Sequence, residues 1–130
     1  MVAKRHKSKQ SVLKPRVAKT RNAGTLTEAA FFSWLRSQLR RSSMRWRPIY
    51  QALAMARRPS QSANKRLKWE FQCAACKAWH ARADVEVDHE PAVGSLRSFD
   101  DLPGFVERLF CEVDGLCVLC NACHHAKTHA

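Results

Sequence analysis

The sequence predicts an α+β fold: a small cysteine-stapled domain at the C-terminal end, preceded by basic helices and a basic arm. Three observations carry this reading. Two C-x-x-C pairs, Cys73-Ala-Ala-Cys76 and Cys120-Asn-Ala-Cys123, bracket a stretch containing short alternating segments. Apolar residues recur at helical spacing upstream of the first pair. Charge is unevenly divided: residues 1–69 hold 18 Lys/Arg and one acid, Glu28, whereas residues 70–130 hold 5 Lys/Arg and 10 acids, or +17 against −5 in a chain of net charge +12.

Three regions follow, with boundaries at 1–24, 25–66 and 67–130. Residues 1–24 form a polar arm with Lys4, Arg5, Lys7, Lys9, Lys14, Arg16, Lys19 and Arg21 spread along it. With so little to bury, such a segment is expected to stay disordered until it meets a polyanion. Residues 25–43 read as a helix, with Thr27 as N-cap and Glu28 at the positive end of the dipole. Phe31, Trp34, Leu35 and Leu39 mark its apolar face, with Arg36, Arg40 and Arg41 on other faces. Pro48 suits the first position of a second helix over 49–58 that buries Ile49, Leu53 and Ala56. Residues 59–66 read as a linker and 67–72 as a strand feeding the first cysteine pair. Val85-Glu86-Val87 alternates and reads as a strand ending at Asp88-His89. A loop over 90–103 leads to a short helix over 105–112 with Phe105, Val106 and Leu109 inward. A second strand over 116–119 and a helix from Asn121 onward complete the chain.

Two C-x-x-C knuckles can set four thiolates tetrahedrally around one zinc ion. Such a staple compensates for a core as small as 130 residues allow. Two other ligand sets stay open: His124 in place of one cysteine, and a shift to Cys117, which makes a third C-x-x-C with Cys120. Cys111 and Cys117 otherwise read as small buried hydrophobes. A secreted, disulfide-bonded protein is the competing reading of six cysteines. The knuckle spacing and the lack of an apolar leader segment argue against it and for a cytosolic setting. Zinc would draw Asp88, His89 and His124 into one neighbourhood, and an acid with two histidines on that scaffold suggests a second, catalytic metal. His125 and His129, four apart, could assist it or stay solvated.

The basic half suits phosphate, with membrane-surface binding or a solvated tail as alternatives. Arg40, Arg41, Arg45, Arg47 and Lys127 join the arm as candidate DNA contacts. Of the four tryptophans, Trp34, Trp69 and Trp79 read as packing. Trp46, between Arg45 and Arg47, reads as a candidate for stacking on a base.

The order strand, Asp-His, loop, strand, knuckle, His, helix resembles the HNH nucleases, whose fold is the ββα-metal finger. Val87-Asp88-His89-Glu90-Pro91 is similar to the family's D-H-x-x-P, with the proline one residue early. Residues 116–128, Leu-Cys-Val-Leu-Cys-Asn-Ala-Cys-His-His-Ala-Lys-Thr, are similar to N-L-x-x-L-C-x-x-C-H-x-x-K-T without its first residue. The resemblance covers about residues 67–130. The overall layout also resembles small HNH proteins of tailed bacteriophages, which implies a bacterial host cytoplasm and a terminase or other packaging protein as partner.

The resemblance implies a DNA endonuclease or nickase in which Asp88 and His124 hold one divalent ion, Mg²⁺, Mn²⁺, Ni²⁺ or Zn²⁺. His89 would be the general base, and the products would carry 5′-phosphate and 3′-hydroxyl ends. Cys73, Cys76, Cys120 and Cys123 would hold the structural zinc. A single site cuts one strand at a time, so a double-strand break requires a homodimer or two visits by a monomer. One position departs from the family. The Asn that orients the general base falls at Gly115, and Asp114 or a backbone carbonyl is expected to take over. The alternative to an enzyme is a zinc-stabilised DNA-binding accessory module that has lost catalysis.

Overall fold

A computed structural model of the chain describes residues 15–129. The expected DNA contacts at Lys4, Arg5, Lys7, Lys9 and Lys14 lie outside the described residues. The fold is α+β, with four helices and two small antiparallel sheets among the described residues. No helix there is long and apolar enough to cross a membrane.

Arg21 is not part of a free arm. Residues 21–26 turn back on themselves through an Arg21–Leu26 bridge, with Asn22, Ala23 and Gly24 all at positive φ. The Arg21 guanidinium lies 5.1 Å from the ring centroids of both Phe31 and Phe99 and 3.3 Å from Glu28. Arg16 and Lys19 are exposed.

Helix α1 (Glu28–Ser43) starts where its cap predicts: the Thr27 side chain accepts the Ala30 amide at 3.1 Å. Its buried apolar residue is Phe32 at 2% exposure, whereas Trp34 is 52% exposed, so the apolar face is rotated from the expected one. Phe31, Leu35 and Leu39 still line the core edge. Helix α2 (Arg47–Ala56) carries Pro48 in its first turn, where a missing amide hydrogen is harmless. It buries Ala52 and Leu53, with Ile49 and Ala56 beside them.

The segment expected to finish this helix is a strand instead. β1 (Arg57–Pro59) pairs antiparallel with β2 (Trp69–Gln72), which pairs with β3 (Trp79–His80). A proline at position 59 cannot continue a helix and is tolerated on an edge strand. The boundary expected at 66/67 therefore lies in the loop between two paired strands. Arg57 covers the ring of Trp69 at 4.0 Å, and Arg58 covers Trp79 at 3.9 Å.

β4 (Val85–His89) pairs antiparallel with β5 (Leu116–Cys120), Asp88 opposite Cys117 and His89 opposite Leu116. Between them runs α3 (Leu102–Leu109), which starts three residues earlier than expected, with Pro103 in its first turn. Helix α4 (Asn121–Thr128) follows β5 directly and lies against both strands.

Two apolar clusters tie the basic helices to the C-terminal half. α1 packs on α3 through Phe32, Phe105 and Leu109, closed by Val93 and Leu96. α2 packs on the sheets through Leu53, Phe71, Val85 and Val118. Trp46 belongs to this framework: its indole N–H donates to the Cys111 carbonyl at 2.7 Å, and its ring meets Phe110 edge-on. A ring so engaged is not presented for stacking on a base.

Candidate functional site: a four-cysteine cluster and an acid–histidine cleft

The first knuckle is built at the end of β2. Lys77, at φ 65°, takes the left-handed turn that lets its amide reach the Cys73 carbonyl at 3.0 Å. The Ala74 amide donates to the Val118 carbonyl at 2.8 Å and so anchors the knuckle to β5. The second knuckle is the junction of β5 and α4, where the Cys120 side chain caps the helix. The two are alike in detail. The Cys76 amide points at Cys73 Sγ (3.5 Å), and the Cys123 amide points at Cys120 Sγ (3.4 Å).

All four sulfurs lie within 4.8 Å of one another. A zinc ion about 2.3 Å from each sulfur of a tetrahedron sets the sulfurs about 3.8 Å apart. Cys76 and Cys120 stand at 3.9 Å. Burial pushes the Cys73 thiol up, but backbone amides of Cys120, Cys76 and Ala75 outweigh it and hold the group at about 6. Cys123, hydrogen-bonded to Cys120 and then Cys73, is pushed up to about 12. Four adjacent thiolates repel one another, and a divalent cation among them removes that conflict. The cluster can hold a structural metal such as zinc, with no coordination position left for a substrate.

His124 and Cys117 stand outside this cluster. Cys117 and Cys120 are three apart on one strand, so their side chains leave opposite faces. Cys117 Sγ instead lies 3.6 Å from Glu90 Oε2. Burial, more than any neighbouring charge, pushes the thiols of Cys111 and Cys117 up, as suits small neutral packing groups.

The same alternation lines up Glu86, Asp88 and Glu90 on the face that meets α4. One turn of α4 sets His124 and Lys127 into that row. His124 Nε2 lies 3.0 Å from Glu86 Oε2, and its Nδ1 lies 4.0 Å from Asp88 Oδ2. Lys127 Nζ lies 2.9 Å from Asp88 Oδ2 and 3.6 Å from Glu90 Oε2. The hydrogen bond to Asp88 holds the Lys127 ammonium above its ordinary range. The Nδ1 of His124 is buried and has no hydrogen-bond partner among the described residues.

At the end of β4, His89 Nε2 lies 3.0 Å from the Leu109 carbonyl of α3. A carbonyl only accepts, which assigns the ring hydrogen to Nε2 and leaves the lone pair on Nδ1. The orienting role considered for Asp114 is thus held by backbone: Asp114 is exposed, and no hydrogen bond links it to His89 among the described residues. The glycine at 115 has its own cause. A Cβ there would stand 2.9 Å from Cys111 Sγ, while the Gly115 carbonyl accepts the Glu90 amide at 2.9 Å.

Glu86, Asp88, His89 and His124, together with Arg40 and Arg41 of α1, line one open cleft of about 610 Å³. Burial, then the charge of Arg36, presses Arg40 below its ordinary value. An anion in the cleft would offset that cost. Arg45 and Arg47 are exposed at the turn into α2. His125 and His129 are exposed, with ring centroids 4.2 Å apart. Among the described residues, the four cysteines are the one group of three or more metal-ligating side chains gathered within 4.8 Å; Asp88 and His124 face each other as a pair.

Sequence reasoning missed Glu86, and it named a backbone carbonyl as a partner for His89 without locating it at Leu109. Glu86 was detectable, since it stands two residues before Asp88 on an alternating strand and so shares its face. The carbonyl had no sequence signal. Set against protein-family models, curated proteins and solved structures, the chain matches none.

Proposed function

We propose that the chain is a metal-dependent DNA endonuclease or nickase of the HNH type, with the antiparallel β4–β5 pair and α4 as its ββα-metal unit. The observation that carries this reading is the His124 Nδ1, buried, unpartnered and 4.0 Å from Asp88 Oδ2. Tetrahedral bonds of about 2.1 Å set two ligands about 3.4 Å apart, so this nitrogen and carboxylate oxygen would hold a divalent ion after closing by roughly half an ångström. Such an ion, when bound, supplies Lewis-acid stabilisation of the leaving 3′ oxygen. His89 presents Nδ1 as the proton acceptor for the attacking water, an imidazole being suited to that at neutral pH. Arg40 and Arg41, in the same cleft, hold the phosphate backbone, and the basic arm adds sequence-independent attraction.

A second reading has one observation in its favour. The Lys127 ammonium already lies 2.9 Å from Asp88, where it supplies a positive charge without an ion. On that reading the chain is a zinc-stabilised DNA-binding accessory module, partnered with a packaging machine and not cutting. Incubation with supercoiled plasmid and Mg²⁺, Mn²⁺ or Ni²⁺ separates the two. Nicking is expected, and His89→Ala should lower it by roughly a hundredfold or more with DNA binding retained. Excess metal should partly rescue His124→Ala but not His89→Ala. Retained binding with no nicking under any of these ions would leave the accessory module as the reading.

A further inference from the structure

We propose that Glu86 is a positioning residue for a divalent cation: it fixes which nitrogen of His124 is free to bind one. The inference rests on the reading of Asp88 and His124 as ligands and adds a residue that neither the knuckles nor the Asp-His pair points to. Glu86 and Asp88 leave the same face of β4, so their carboxylates flank the His124 ring on its two sides. Glu86 Oε2 lies 3.0 Å from Nε2, within hydrogen-bond reach; Asp88 Oδ2 lies 4.0 Å from Nδ1, beyond it.

This asymmetry decides the tautomer. A carboxylate oxygen accepts, so the neutral His124 ring is better served by a hydrogen on Nε2, 3.0 Å from Glu86, than on Nδ1, 4.0 Å from Asp88. Nδ1 then keeps its lone pair, buried and unpartnered, on the edge that faces Asp88. A metal-binding histidine needs this: a bare nitrogen toward the ion, and its other N–H held by an acceptor that fixes the ring. Without Glu86 the ring can turn or place its hydrogen on Nδ1, where it would donate to Asp88 and shut the gap. Glu86 contacts the far edge of the ring and therefore acts through His124. Its side chain is 53% exposed, so its removal leaves the core intact.

The test is Mn²⁺ binding by the zinc-replete protein, followed by the paramagnetic resonance of the free ion. Mn²⁺ favours oxygen and nitrogen over thiolate and so reports on this cleft instead of the cysteines. Glu86→Ala should weaken Mn²⁺ binding by about 10–100-fold, the usual cost of losing such an outer partner. Glu86→Gln should stay within a few-fold of wild type, because its amide oxygen still accepts from Nε2–H. Zinc content and melting temperature should not move in either variant. Wild-type Mn²⁺ affinity in Glu86→Ala would overturn the proposal. So would Glu86→Gln as weak as Glu86→Ala, since charge or direct ligation would then be the cause. Asp88→Ala is the separate control. If it alone abolishes binding, the ligand reading stands without Glu86; if it changes nothing, both proposals fall.

Discussion

Replacing Cys120 by serine isolates the contribution of the four-cysteine cluster. The serine hydroxyl can still accept the Cys123 amide, so the α4 cap survives while the thiolate ligand is lost. The magnitude follows from what the cluster joins. Cys76 and Cys120 are 44 positions apart, and a loop of that length costs about 3.4 kcal/mol to close, from (3/2)RT ln n. A metal that bridges the knuckles carries that cost, before the metal–sulfur bonds themselves are counted. Against a total stability of roughly 5–15 kcal/mol this is a large fraction. For a domain of this size it corresponds to a melting temperature lowered by about 10–15 °C. Circular dichroism melts with and without chelator, paired with elemental zinc analysis, make the comparison. Chelator should lower the wild-type melt toward that of Cys120→Ser and leave the variant unmoved. One zinc per chain in Cys120→Ser, with an unchanged melt, would refute the assignment.

Two further outcomes are expected. Deleting residues 1–24 removes eight Lys/Arg side chains, so DNA affinity should fall and the plot of log affinity against log salt should become shallower; an unchanged slope would show that the arm makes no phosphate contacts. Gly115→Asn should destabilise the protein by roughly 1–3 kcal/mol in denaturant unfolding, because its Cβ would meet Cys111 Sγ at 2.9 Å and Cys111 Cβ at 3.0 Å, and adding Cys111→Gly, which removes both atoms, should cost less than the sum of the two single changes; additive effects in the double variant would refute the packing explanation.

Features that depend on neighbours along the chain are legible from residue order alone. C-x-x-C spacing dictates the bite of each knuckle, which is why the four-cysteine cluster is legible along the chain. Thr27 and Pro48 announce helix starts because the orphan amides of a first turn are satisfied within three residues. Alternation over Val85-Glu86-Val87 marks a strand, since its period of two is local. Tertiary structure decided what depends on distant partners. Phe32 displaced Trp34 from the core because Phe105 and Leu109 lie on that side of α1, a fact not contained in helical spacing. Residues 57–59 became a strand because β2 offers them a pairing edge, which outweighs the propensity of the preceding helix. Cys117 was excluded from the metal cluster by the pleat of β5, although its spacing from Cys120 is equally good. His89 found its orienting partner in a carbonyl of α3, a group every residue carries and no sequence pattern marks. Arg40 and Arg41 share a cleft with the Asp88–His124 pair because α1 packs on α3, so only packing could bring these cations and acids into one lining.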